Sequence, residues 1–174
     1  MSRQGYTGTI TEDWVRSKLI AMGYIVEKPI PDRGVDFIVS SPTNPQNSLK
    51  VQVKGRGSRQ RNKRFRWFQI RTTKKQRQET LDDGTPLLEA WRKKVSLADI
   101  FIFVSEKYEE YWIFTPKEVA EIVLINRKKY GNRNDNKEGL QAEFDLDILD
   151  NNLPLTETYK DNLNNWEMIS SCLQ

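Results

Sequence analysis

Residues 99 to 105 read Asp-Ile-Phe-Ile-Phe-Val-Ser, and no other stretch of the chain narrows its fold so much. An unbroken apolar run of strand length has no face to give to water, so it predicts a central strand covered on both sides. A sheet holding such a strand needs a layer above it and a layer below it. That requirement places the chain among α/β folds.

The flanking segments supply the layers. Residues 9–22 read as an amphipathic helix, with a Thr9/Glu12 capping-box pattern, a buried stripe of Val15, Leu19 and Met22, and Gly23 as its stop. Residues 24–28 form a short strand. Pro29, Pro31 and Gly34 break the chain before a second strand over 35–39; a turn-rich connection over 41–48 leads to a third over 49–54. Residues 65–71 mix aromatic and basic side chains and predict a further strand. A helix over 86–95 would bury Leu88, Trp91 and Val95, and residues 111–114 would pair with the central strand. Thr115-Pro116-Lys117-Glu118 opens a capped helix whose inner stripe is Val119, Ile122 and Val123, ended by Gly131. After a polar loop, residues 140–148 alternate as a half-buried strand, and the tail closes with a short helix carrying Trp166 and Ile169. There is no internal repeat. Residues 1–130 read as the core and 131–174 as an acidic extension packed on the same domain.

Composition removes several chemistries. The chain has no histidine and one cysteine, Cys172. Ser-His-Asp hydrolysis, a histidine-ligated metal and a cysteine-based zinc site are therefore excluded. Catalysis must rest on carboxylates, amines, hydroxyls and amides, which favours a hard metal ion held by oxygen. No run of 18 apolar residues suggests a membrane span, and the opening residues carry no apolar core of the secretory kind. A reducing, cytoplasmic compartment is the expectation.

A net charge of +4 conceals a strong asymmetry. Residues 50–78 hold twelve Lys or Arg and no acid, whereas from Asp135 onward nine acids face two lysines. With Phe65, Trp67 and Phe68 inside it, the basic block has the make-up of a nucleic-acid contact surface. Arg56, Arg59, Arg61, Lys63, Arg64, Arg66, Lys74 and Lys75 are its candidate DNA contacts. The plainer alternative is a solvated loop, and Trp67 and Phe68 are as well suited to core packing as to stacking on bases.

Strand parity then locates chemistry beside the block. Val35, Phe37 and Val39 share one face, as do Val51 and Val53, so Asp36, Gln52 and Lys54 take the opposite one. A hairpin folded about Asn44 sets Asp36 across from Gln52, and directly opposed side chains lie about 5 Å apart. Glu12 projects near the buried stripe of the first helix. Two carboxylates and an amide oxygen suit Mg²⁺, and a neighbouring lysine suits a phosphate.

The order of a helix with Glu12, then Gly34-Val35-Asp36-Phe37-Ile38-Val39, then Val51-Gln52-Val53-Lys54 resembles the PD-(D/E)xK nuclease superfamily. It is most similar to the branch of archaeal Holliday junction resolvases with a Gln-x-Lys motif. Residues 99–104 and 111–116 resemble the second half of such domains, so the likeness spans roughly residues 8–125. It implies a restriction-endonuclease-like core, a central mixed β-sheet flanked by helices in α-β-β-β-α-β order. It also implies a site in which Asp36, Gln52, the Val53 backbone carbonyl and Glu12 hold Mg²⁺, with Mn²⁺ able to substitute, and Lys54 is the catalytic lysine. The implied activity is endonucleolytic cleavage of DNA, of a restriction or defence type or a junction or repair type. A homodimer would suit cutting both strands.

Gln52 is the departure, since it removes a negative charge from the ligand set. It keeps open a nuclease-fold DNA-binding module that does not cleave. Glu12 could instead cap its helix or pair with Lys54 or Arg16. Lys54 could simply extend the basic patch. Asp32, off the strand in a Pro/Gly turn, is the weaker match to the motif aspartate. A third reading is a basic interaction protein whose acidic C-terminal segment covers the basic face or contacts a partner.

Overall fold

Strand-length pieces rich in β-branched and aromatic residues alternate here with turn signals, and five of them assemble into one mixed sheet. In a computed structural model of the chain, the residues described are 3–30, 34–58, 63–71, 98–130 and 141–174. They form α1 (Arg3–Ala21), β1 (Ile25–Glu27), β2 (Phe37–Ser41), β3 (Asn44–Arg56), β4 (Trp67–Arg71), β5 (Ile100–Ser105) and β6 (Glu110–Phe114). Then come α2 (Pro116–Tyr130), β7 (Gln141–Asp145), β8 (Leu149–Asp150), β9 (Leu153–Pro154), α3 (Leu155–Thr158) and α4 (Glu167–Leu173).

The large sheet has the order β1-β2-β3-β5-β6. β3 and β5 run parallel; the other neighbours are antiparallel. Every residue of β5 is buried, as its apolar run requires. One face packs on α1 and α4 through Val15, Leu19, Phe37, Val51, Val53, Ile102 and Ile169. The other face presents Phe101, Phe103 and Phe114 to α2 and to a separate two-stranded ribbon of β4 and β7. Phe103 stacks on Phe144 of that ribbon, with ring centroids 4.0 Å apart and planes 4° apart. Among the described residues, no helix is long and apolar enough to cross a membrane.

Several local expectations change. α1 begins at Arg3, so Thr9 lies inside the helix and is not its cap. Gly5 and Gly8 weaken a helix by about 1 kcal/mol each without forbidding it. The buried stripe is Thr11, Val15 and Leu19, while Met22 is exposed. The chain leaves the helix at Gly23, whose φ of +89° suits glycine, and this carries Met22 off the packed face. Most of 41–48 is strand, since Asn44 already pairs with Ser41 and β3 extends through Arg56. The register shifts between Ser40 and Ser41, which accommodates the extra residues of β3, Pro45 among them. β4 leaves the main sheet altogether and pairs with β7.

The capping box on α2 forms as its sequence predicts. Thr115 N–H donates to Glu118 Oε2 at 2.7 Å, and Glu118 N–H donates back to Thr115 Oγ1 at 3.4 Å. The helix expected over 86–95, the loop over 131–139 and Asp32 lie outside the described residues.

Candidate nuclease-like site

Valines at 51 and 53 and phenylalanine at 37 turn one face of β2 and β3 into the core, which commits the intervening polar residues to the other face. Phe37 pairs with Val51, Ile38 with Lys50 and Val39 with Leu49. Extended by one residue, this register puts Asp36 opposite Gln52. Asp36 is itself buried, and two hydrogen bonds fix it. Its N–H donates to the Val51 carbonyl at 2.9 Å, and its Oδ2 accepts the Val53 N–H at 2.6 Å. The two bonds straddle Gln52. A buried carboxylate needs such donors, because desolvation would otherwise penalise its charge.

Gln52 and Lys54 are half-buried on β3. In register they lie beside Phe101 and Phe103 of the neighbouring strand. The structure therefore brings Asp36, Gln52 and the Val53 backbone together and leaves Lys54 on the Gln52 face. Glu12 comes from the helix on the other layer. Its Oε2 accepts a hydrogen bond from Lys28 Nζ at 3.0 Å, an ion pair with β1's flank rather than with Lys54 or Arg16. The helix is held close to the site strand by a missing side chain. A Cβ at Gly55 would overlap the Thr11 side chain, so only glycine lets α1 and β3 approach this closely.

No group of three or more His, Cys, Asp or Glu able to hold a metal occurs among the described residues. In register with Asp36, the candidate oxygen donors on β3 are the Gln52 amide and the backbone. That donor set fits a hard divalent cation, with one carboxylate charge fewer than two acidic ligands would give.

The basic block divides into parts with different surroundings. Arg66 makes a bidentate pair with Glu110, at 2.6 and 2.7 Å, and a further bond to Asp147 at 2.9 Å. Its guanidinium also lies 4.2 Å from the Tyr108 ring centroid. Burial pushes the Glu110 carboxyl up, but the bonds from Arg66 and Trp112 outweigh it and hold the group below the ordinary glutamate range. Donating hydrogen bonds to Glu110 and Asp147 likewise raises Arg66 against the effect of burial.

Arg64 pairs with Asp145, a carboxylate buried at the end of β7. Tyr130 donates to the same carboxylate at 2.9 Å; burial and this bond push its hydroxyl up to about 12. Asn126 fixes the Asp145 backbone from both sides, accepting its N–H at 3.0 Å and donating to its carbonyl at 3.2 Å. Acids of the C-terminal segment thus cover part of the basic block. Sequence patterning left Asp145 and Asp147 unassigned to individual partners, because both lie 81 residues from the arginines they meet.

Arg56 is placed differently. Its Nε donates to the Arg64 carbonyl at 3.1 Å, and its guanidinium lies 4.7 Å from the Trp67 ring centroid, with Arg64 5.1 Å from the same ring. Trp67 is a platform for two arginines, a role that its spacing in the sequence did not suggest. Lys63 is exposed, and Arg59, Arg61, Lys74 and Lys75 lie outside the described residues.

No protein-family model matches the chain, and no curated protein matches it. Among solved structures it is similar to the bacterial homing endonuclease I-Ssp6803I, with 18% identity and a TM-score of 0.54 over 98% of this chain and 94% of that one. At this identity the likeness speaks for architecture: the five-stranded mixed sheet flanked by helices is a nuclease-like α/β fold.

Proposed function

We propose that the chain is a metal-dependent DNA endonuclease of the PD-(D/E)xK type. The observation that supports this most is the anchoring of the buried Asp36 carboxylate to the Val53 N–H, on either side of Gln52 and one residue from Lys54. A carboxylate buried at that point in a nuclease-like fold has a chemical use that a structural ion pair elsewhere would not need.

Asp36, the Gln52 amide oxygen, the Val53 carbonyl and Glu12 are the groups that would hold Mg²⁺ or Mn²⁺. When bound, the ion supplies charge neutralisation on the phosphodiester and acidifies water. Lys54 stabilises the negative charge that develops on phosphate oxygens as water adds to phosphorus and one P–O ester bond breaks. Asp36, fixed by main-chain bonds on two rungs of β3, keeps its orientation without reorganisation. Glu12, now paired with Lys28, would have to give up that partner to join the other groups. The products are a phosphomonoester and a hydroxyl. The cationic block next to Lys54 draws the polyanion over these groups.

Gln52 favours one other reading, a nuclease-fold module that binds DNA without cutting it. Incubation with supercoiled and branched DNA, in Mg²⁺ and in EDTA, separates the two. Cleavage should require Mg²⁺ and vanish in Asp36→Ala and Lys54→Ala, with binding largely kept. Binding without cleavage of any DNA form would reject the enzyme.

A further inference from the structure

We propose that the turn between β5 and β6, residues 106–109, is a brace that holds Lys63 ready for a DNA backbone phosphate, with Glu106 as its positioning residue. The inference rests on the endonuclease reading and assigns part of its substrate contact.

Ser58 and Phe65, on either side of Lys63 in the chain, are both held by this turn. β3 ends at Arg56, whose partner in register is Ser105. One residue further on, Glu106 N–H donates to the Arg56 carbonyl at 3.0 Å. The Glu106 carboxylate then accepts the Ser58 N–H. A main-chain donor bonded to a carboxylate makes a stronger tie than one bonded to a neutral acceptor. At the other end, Phe65 sets its ring edge-on to Tyr108, with centroids 5.7 Å apart and planes at 85°. Arg66 lies over the same tyrosine ring and forks onto Glu110, the residue that follows the turn. The turn is closed by bonds from the Tyr108 N–H to the Ser105 carbonyl at 3.3 Å and from the Glu109 N–H to the Glu106 carbonyl at 3.4 Å.

Lys63 stands between these ties. It is exposed, and its φ of +53° is a left-handed conformation that lysine rarely adopts. Asparagine or glycine would take it with less strain. Such conformations persist where the surroundings over-determine them, and they gather at ligand contacts. Here the next residue, Arg64, is fixed through its carbonyl by Arg56 Nε and through its guanidinium by Asp145, and Phe65 follows on Tyr108. Lys63 itself is in no ion pair among the described residues. Its charge is open to an outside anion, and its main chain is ordered before that anion arrives, which lowers the entropy lost on binding.

Charge gives the brace a signature. Glu106 adds a negative charge beside a cationic surface, so by long-range electrostatics it hinders a polyanion. As a tie to Ser58 it helps. The two roles predict opposite effects of one substitution.

The test is equilibrium binding of a labelled DNA duplex in EDTA, so that cleavage plays no part, at several salt concentrations and well below the melting temperature of each protein. Glu106→Gln removes the charge and keeps an oxygen for the Ser58 N–H, so it should bind more tightly than the parent. Glu106→Ala removes both and should bind several-fold more weakly than either. Equal binding by the two variants would overturn the brace. Lys63→Asn should melt no lower than the parent, because asparagine tolerates the backbone. It should nonetheless lose about one from the slope of log K against log salt, to which each phosphate contact contributes roughly 0.9. A parent-like slope in Lys63→Asn would overturn the contact. Ile169→Val, a core substitution under α4, should lower the melting temperature and leave affinity unchanged. A loss of affinity there as large as in Glu106→Ala would make Glu106 a general stabiliser and reject its positioning role. Should Glu106→Ala fail to fold, Tyr108→Ala decides: it changes no charge and should weaken binding several-fold, and parent-like affinity would reject the proposal. A flat salt response in the unsubstituted protein would instead reject the DNA reading beneath it.

Discussion

The Asp36 carboxylate accepts the Val53 N–H at 2.6 Å, a bond from a side chain of one strand edge to the main chain of the next. Under the proposed function, the bond would link the stability of β3 to the metal site. The group that would hold the metal also satisfies a buried donor of β3. Asparagine can still accept that N–H through its amide oxygen; alanine cannot. Asp36→Ala should therefore be less stable than Asp36→Asn by about 1–3 kcal/mol, the cost of an orphaned buried donor. Both should lose cleavage. Urea unfolding of the two variants checks this, and equal midpoints would refute it.

Gly55 fixes the distance between α1 and β3. Alanine there overlaps Thr11, whose packing against the strand is part of a buried stripe. Gly55→Ala should destabilise by about 1–3 kcal/mol, as overpacking does. Combining it with Thr11→Ala removes the two nearest atoms, Oγ1 and Cγ2, and leaves only the Cβ contact, so the pair should cost less than the sum of the singles. A double-mutant cycle with zero coupling would show that the close approach does not limit the fold.

The Arg66–Glu110 pair gives stability a defined pH dependence. Glu110 is held below its ordinary value by Arg66 and Trp112 despite burial, so its folded pKa is depressed. A depressed carboxylate contributes stability that is present above its unfolded value, about 4.3, and is lost as pH falls through the folded value. Arg66→Met should cost about 1–2 kcal/mol at neutral pH, allowing for the partial exposure of both side chains. The difference from the parent should shrink as pH drops below about 4.3. Chemical denaturation across pH 3 to 7 (roughly the titration range of carboxylates) reads it directly, and a pH-independent gap would contradict it.

How far these features could be read from the chain depended on the range of the interactions behind them. The pairing of Phe37 with Val51 was legible because parity is local and a slip by one residue would turn Val51 and Val53 out of the core. The Thr115/Glu118 cap was legible for the same reason: its partners are three residues apart. The start of α1 was not, since the Thr9/Glu12 pattern is short and Glu12 spends its charge on Lys28. Pairing of β4 with β7 joins Trp67 to Asp145, and nothing near either residue announces the other. The same distance hid the counter-ions of Arg64 and Arg66, so the block looked more uniformly available than it is. Asp36 stood out because a carboxylate among strand valines has few structural excuses. Trp67 meets Arg56 and Arg64 through packing that no local pattern announces.

Gln52 offers the most direct test of the proposed metal site. Gln52→Glu sets a second carboxylate opposite Asp36, and two like charges this close oppose one another without a cation. The metal-free variant should then be less stable than the parent. Mg²⁺ should reverse the order, because a ligand that binds only the folded state stabilises it in proportion to its affinity. The expected result is a lower melting temperature in EDTA, a larger rise on adding Mg²⁺, and a several-fold lower Mg²⁺ concentration for half-maximal effect. Calorimetric titration of the ion provides a reading independent of cleavage. If Gln52→Glu responds to Mg²⁺ no more than the parent does, position 52 does not face the ion, and the ligand set built around Asp36 must be withdrawn.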